Sequence, residues 1–223
     1  MSTKLLFQSI YKFLLGVVLV GLLIFLPSGT LSYFNGWLLM GILFIPMFFA
    51  GIVMMIKNPD LLRKRLNSKE KRGEQGIVVK LSGVMFCAGF IIAGFGVRFN
   101  WYALPSEVVL IGVILFVIAY ILYAEVLREN AYLSRTIEVQ EGQKVIDTGL
   151  YAIVRHPMYS STVILFLSMS IVLGSVYAVL VFLLYPVIIV VRLKDEEELL
   201  QKELAGYSEY MQRVRYRLIP FIW

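Results

Sequence analysis

Apolar runs of membrane-spanning length dominate this chain and leave few folds open to it. A helix that crosses a bilayer needs about 20 mostly apolar residues. Such runs extend from about Ser9 to Leu26, Trp37 to Ile56, Ile77 to Val97 and Val108 to Val126. A further apolar stretch, Tyr159 to Val191, is too long for one span. Gly174-Ser175 sits near its middle, where glycine makes a turn cheap. The stretch therefore reads as two short helices in a tight hairpin. The expected fold is an all-α polytopic membrane bundle with five to six transmembrane helices: six if the hairpin is two spans, five if it is one kinked helix.

Composition agrees. Of the 223 residues, 59% are hydrophobic and 16% charged, with a mean hydropathy of +0.80. A soluble domain carries roughly 25% charged residues. The spans leave too little chain for a separate soluble domain, so residues 1–126 read as N-terminal transmembrane helices and 127–223 as the region that carries chemistry. Ser9 to Leu26 reads as a retained helix rather than a cleaved signal, because further spans follow Pro27-Ser28-Gly29. The single cysteine, Cys87, excludes an intrachain disulfide, and the single histidine, His156, excludes a multi-histidine metal site. No metal is expected. The net charge of +6 lies between apolar spans, which argues for anionic membrane lipid rather than nucleic acid as its counterpart.

The basic residues also predict an orientation. Lys57, Arg63, Lys64, Arg65, Lys69, Lys71 and Arg72 fall between the second and third spans, whereas Pro27–Gly36 has no charge and the hairpin tip has none. The positive-inside rule then puts both termini, the 127–158 segment and the 192–223 tail in the cytoplasm. Lys80 and Arg98 sit near span ends, where long side chains reach the interface.

Three polar clusters share that side: Arg128 to Lys144, Gly149 to Tyr159, and Arg192 to Leu200. Pro157 suits the first turn of a helix, where a missing N–H goes unnoticed. The helix it begins enters the membrane, so its amides and dipole present an anion-favouring end at the interface. Arg155 and His156 stand just ahead of it, with Tyr151 and Tyr159 on either side. Arg192 and Glu196 are four residues apart and share a helix face. The tight hairpin brings His156 and Arg192 to one membrane surface despite their separation in sequence.

These residues carry a resemblance. The segment GLYAIVRHPMY, the hairpin, and a tail of form R-x-x-x-E-E-x-x-L running on to AGYSEYMQRVRYRLIPFIW resemble the isoprenylcysteine carboxyl methyltransferase and phospholipid methyltransferase superfamily in its bacterial integral-membrane form. The likeness covers roughly Asn130 to Trp223. It implies a cytoplasmic S-adenosyl-L-methionine pocket lined by Tyr151, His156, Pro157, Met158 and Tyr159, with Glu196 on the cofactor and Arg192 on the methyl acceptor. Gln140 and the run Gln143-Lys144-Val145-Ile146 match an upstream cofactor-binding stretch. Where the family often has Phe-Gly-x-x-Tyr, this tail reads Leu204-Ala205-Gly206-Tyr207, the mark of a divergent branch.

The residue chemistry fits what the resemblance implies. A helix N-terminus with His156 suits the cofactor carboxylate. Glu196 suits its ammonium or ribose hydroxyls, and tyrosine faces suit the sulfonium. No G-x-G-x-x-G fingerprint argues for a soluble Rossmann-type methyltransferase. A carboxylate acceptor is already ionised, and Arg192 could hold it. An amine acceptor must lose a proton to Glu197, Glu196 or His156. Either way the expected substrate is a lipophilic small molecule or lipid entering from the bilayer. Three alternatives remain: a sterol-type reductase using NADPH through a similar Arg-His-Pro hairpin, a non-catalytic membrane scaffold, and a transporter. The transporter ranks last, because spans one, two, four and the hairpin lack deep ionisable residues.

Overall fold

A computed structural model describes residues 3–67, 73–134 and 136–223. The described residues form helices and turns with no β-strand. In chain order these are α1 (Thr3–Ser28), α2 (Phe34–Lys57), α3 (Pro59–Leu66), α4 (Gly73–Arg98), α5 (Ser106–Glu129), a 3₁₀ turn (Gly149–Ala152), α6 (Pro157–Val172), α7 (Val176–Phe182), α8 (Leu184–Glu203) and α9 (Tyr207–Arg213). Five helical segments are long and apolar enough to cross a membrane: α1, α2, α4, α5, and α7 continued by α8. Helix α6 is apolar but has only 16 residues. At 1.5 Å per residue it is about 24 Å long, short of a hydrocarbon core of about 30 Å.

The hairpin forms at the expected place. Gly174 adopts φ +69°, a left-handed conformation natural to glycine. Ser175 then caps α7, its side chain accepting from the Ala178 amide at 3.2 Å. The tip is tied to both other connections at that end. Leu104 N–H donates to the Gly174 carbonyl at 2.8 Å, and the Tyr33 hydroxyl donates to the Leu173 carbonyl.

The tightest helix pair is α5 against α6. Gly112 makes it possible, since a Cβ there would lie 2.6 Å from Ile171 Cγ2. Small residues let membrane helices approach closely in this way. An aromatic cluster of Phe86, Phe90, Phe166, Phe182 and Tyr185 fills the space between α4, α6 and α7–α8. The outward faces of α1, α2 and α5 expose Leu, Ile and Phe, as lipid-facing surfaces do.

Charge is segregated by end. The end opposite the hairpin tip gathers α3, the 130–156 segment, the charged half of α8 and the tail. The segment after Lys57, which reads as a basic loop from sequence, contains a helix. Asn58 caps α3 by accepting from Leu61 N–H at 3.1 Å, and Pro59 takes its first turn. Leu61 and Leu62 are buried, while Arg63, Lys64 and Arg65 occupy its last turn. Lys69, Lys71 and Arg72 lie outside the described residues. The boundary read at residue 126 falls within α5, which continues to Glu129.

Candidate active site

The apolar part of α8 ends at Val191, and the helix continues beyond it as a charged arm to Glu203. That arm runs beside the start of α6 and carries the centre of the site. Glu197 is buried there, 2% exposed. It meets Arg155 Nε at 2.6 Å, His156 Nε2 at 3.2 Å and Arg217 Nε at 2.8 Å. Burial pushes its carboxyl pKa up, but hydrogen bonds from His156, Arg155 and Arg217 outweigh this and hold it at about 2. Arg155 also donates to the Val214 and Arg215 carbonyls, both at 2.9 Å. The backbone repeats the tie: Arg155 N–H donates to the Tyr216 carbonyl at 2.9 Å and His156 N–H to that of Arg217 at 3.0 Å. The tail thus fastens the turn that starts α6 onto the arm of α8.

One helical face away, Tyr159 joins two further charged residues of the arm, Arg192 and Glu196. Its hydroxyl donates to Glu196 and accepts from Arg192 Nε at 3.1 Å. Arg192 Nη1 also donates to Gln75 Oε1 at 3.3 Å, and Gln75 Nε2 donates to Asp195 at 2.6 Å. Gln75 is 1% exposed and comes from the start of α4, outside the sequence resemblance. Arg192 and Glu196 read from sequence as an i,i+4 pair; the structure puts the Tyr159 hydroxyl in contact with both.

The 130–146 segment forms the facing wall. Asn130 accepts from Tyr132 N–H at 2.9 Å and donates to the Tyr151 hydroxyl at 2.8 Å. Gln140 donates to the Tyr132 carbonyl, and its own N–H is taken by the Gln143 side chain at 2.9 Å. These bonds hold an irregular segment in one shape without helix or sheet. Between this wall and the α6 and α8 residues lies an open cleft.

Gln143, Lys144, Val145, Ile146, Tyr151, His156, Met158, Tyr159, Arg192 and Glu196 line the cleft. Gln140, Pro157 and Glu197 do not. Gln140 braces the wall and Pro157 sets the first turn of α6. Glu197, read from sequence as a base for an amine acceptor, is packed beneath the cleft and engaged by Arg155, His156 and Arg217. His156 directs Nε2 at Glu197, so that nitrogen carries the proton between them.

The sequence reading missed part of the lining. Tyr132, Leu133, Ser134, Thr136, Ile137 and Glu138 contribute from the facing wall, and Leu200, Leu204, Tyr207 and Tyr210 from the end of α8 and from α9. Tyr210 donates to the Tyr151 carbonyl at 2.7 Å, which binds α9 to the 3₁₀ turn. The signal for the last group was a Tyr-x-x-Tyr spacing after Gly206, which puts both rings on one face of a short helix.

One comparison with known proteins falls on this same part of the chain. The family model described as phospholipid methyltransferase matches residues 108–206. Delta(14)-sterol reductase TM7SF2 of Mus musculus is 33% identical over 91 residues, 40% of this chain and 22% of that protein. The chain therefore spans about a fifth of that relative's length. The reductase name describes the whole of that larger protein. The matched family segment runs from the start of α5 to Gly206 and so includes the α6 turn, the hairpin and the charged arm. Residues 108–206 are thus similar to the phospholipid methyltransferase family, part of the superfamily that also contains the isoprenylcysteine carboxyl methyltransferases.

Proposed function

We propose that this protein is an S-adenosyl-L-methionine-dependent methyltransferase acting on a lipophilic acceptor at the cytoplasmic membrane surface. The observation that carries the reading is the Tyr159 hydroxyl joined to Arg192 and Glu196 at the edge of an open cleft. It fixes a cation and a carboxylate side by side, one toward an acceptor and one toward a cofactor.

The charges of the lining fit that cofactor. Lys144 and Arg192 stand with Glu138 and Glu196 around the cleft, a mixed set suited to a zwitterionic amino acid carrying a sulfonium. Glu196 is suited to the ammonium or the ribose hydroxyls. Tyr132, Tyr151 and Tyr159 offer ring faces toward a cationic sulfur. S-adenosylmethionine supplies an electrophilic methyl group when bound. The chain's own residues orient the partners and exclude water, which is where an in-line transfer gains most of its rate.

Glu197 acts in this reading as a positioning residue, because its lone pairs are committed to three donors and its pKa is about 2. A carboxylate acceptor held by Arg192 needs no base and is favoured by that arrangement. An amine acceptor would turn to Glu196. Entry from the bilayer is supported by the short α6, whose start and cleft lie where the apolar spans end. The cytoplasmic assignment is supported by Arg63, Lys64 and Arg65 of α3 on the same end as the cleft.

A second reading, an NADPH-dependent reductase, is favoured by the likeness to the mouse sterol reductase. Against it, Glu138 and Glu196 would face a polyanionic dinucleotide. Equilibrium binding of S-adenosylmethionine and of NADPH to the detergent-purified protein tests the two. Binding of the first alone supports methyl transfer. Binding of NADPH alone replaces it with reduction, and binding of neither points to a scaffold.

A further inference from the structure

The Tyr207 hydroxyl is buried at the cleft and has no hydrogen-bond partner among the described residues. Tyr207 itself is 4% exposed. Its neighbour one turn on makes the contrast: the Tyr210 hydroxyl is spent on the Tyr151 carbonyl at 2.7 Å. The position of Tyr207 is built. Gly206 takes φ +82°, which starts α9 at Tyr207, and Tyr207 N–H donates to the Leu204 carbonyl at 3.2 Å. The ring packs in an apolar cluster with Leu204, Tyr210 and Val214, against Val145 and Leu200.

Buried hydroxyls in folded proteins nearly always have a partner, and one left unmet destabilises the fold. Burial, together with the charges of Glu197 and Glu196, pushes the Tyr207 phenol well up. It therefore stays a neutral O–H donor at any physiological pH. What it lacks is an acceptor from inside the cleft. Arg192 and Glu196 of α8, joined by the Tyr159 hydroxyl of α6, form the polar side of the cleft, whereas the cluster that packs the Tyr207 ring is aliphatic and aromatic. A flat purine with acceptor nitrogens, or the ribose attached to it, matches such a wall.

We propose that Tyr207 donates a hydrogen bond to the nucleoside half of the bound cofactor, making the end of α8 and the start of α9 the nucleoside subsite. The proposal rests on the reading of the cleft as an S-adenosylmethionine site. It predicts two effects of opposite sign. Tyr207→Phe keeps the ring and its packing, removes an unmet buried hydroxyl from the unliganded protein and removes a donor from the complex.

The experiment measures equilibrium binding of S-adenosylhomocysteine and of 5′-methylthioadenosine, which lacks the amino-acid portion, to full-length wild-type and Tyr207→Phe protein. The unliganded melting temperature of each is recorded alongside. The expected result is an affinity loss of about tenfold for both ligands, with a melting temperature equal to or above that of wild type. Unchanged affinity overturns the proposal. So does a loss confined to S-adenosylhomocysteine, which would move the contact to the amino-acid half. A loss accompanied by a lower melting temperature makes Tyr207 structural and also overturns it. If the wild type binds neither ligand, the reading of the cleft fails first and the subsite falls with it.

Discussion

Arg155 and Glu197, 42 residues apart in sequence, meet at 2.6 Å beneath the first turn of α6, each about 5% exposed or less. Removing one partner of such a pair leaves an uncompensated buried charge and costs about 3–5 kcal/mol. Arg155→Ala is therefore expected to lower stability by that amount, measured by thermal or denaturant unfolding in detergent. Arg217, more exposed at the third corner, is expected to cost less when replaced by alanine. Equal losses at both positions would show that burial does not control the site.

The same carboxylate gives a pH dependence. Its folded pKa of about 2 lies below the ordinary 4.5, so the unfolded chain binds the proton more readily. The stabilisation is fully present above about 4.5 and is lost as pH falls from there toward about 2. A shift of that size corresponds to about 3 kcal/mol. Glu197→Gln should flatten this part of the profile, measured as melting temperature against pH. A variant profile parallel to wild type would place the acid sensitivity elsewhere.

Arg192→Gln should leave S-adenosylmethionine affinity within about twofold and lower turnover by about 100-fold or more, as loss of a charged hydrogen bond to the acceptor requires. Binding and single-turnover assays separate the two effects. Loss of cofactor affinity instead would transfer Arg192 to the cofactor side of the cleft.

Gln75 orients Arg192 from outside the matched segment. Gln75→Leu keeps the bulk and removes both the acceptor for Arg192 and the donor to Asp195. Turnover is expected to fall about tenfold with cofactor affinity preserved. Gln75→Glu, which restores an acceptor for Arg192, should recover part of the rate. Absence of any effect would show that Arg192 is set by α8 and Tyr159 alone.

The seam between α5 and α6 is predicted to be intolerant of bulk. Gly112→Val would drive new atoms into Ile171 and cost about 1–3 kcal/mol through overpacking. Unfolding of the variant measures it, and Ile171→Ala in the same chain should recover part of the loss.

Much of the architecture was legible because lipid imposes a length and a polarity that apolar runs report directly. The spans at Trp37 and Val108 fall inside α2 and α5, and Gly174 announced the hairpin. Helix α3 escaped because eight residues with a basic last turn look like a charged loop; its signal was the Asn58-Pro59 start. At the site, His156, Tyr159 and Arg192 were readable as types of residue at one membrane surface. Their bonding was not. The i,i+4 spacing of Arg192 and Glu196 says nothing of a tyrosine from another helix, and Glu197 differs from Glu196 only by a rotation of about 100° around α8. Arg217 lies beyond α9 in a tail held by tertiary contacts rather than by a periodic pattern, and the Tyr-x-x-Tyr spacing of α9 does not say that Tyr207 reaches the cleft.

The attachment of the tail to the α6 turn also sets an order of events during synthesis. All the apolar spans are made before Tyr216 and Arg217, whose carbonyls receive the Arg155 and His156 amides. The bundle can insert while the turn before Pro157 is still loose and Glu197 has only part of its counter-charge. The turn before Pro157 gains these bonds only when those late residues leave the ribosome and dock. A chain arranged in this way completes the floor of its cleft last, after every apolar span has been made.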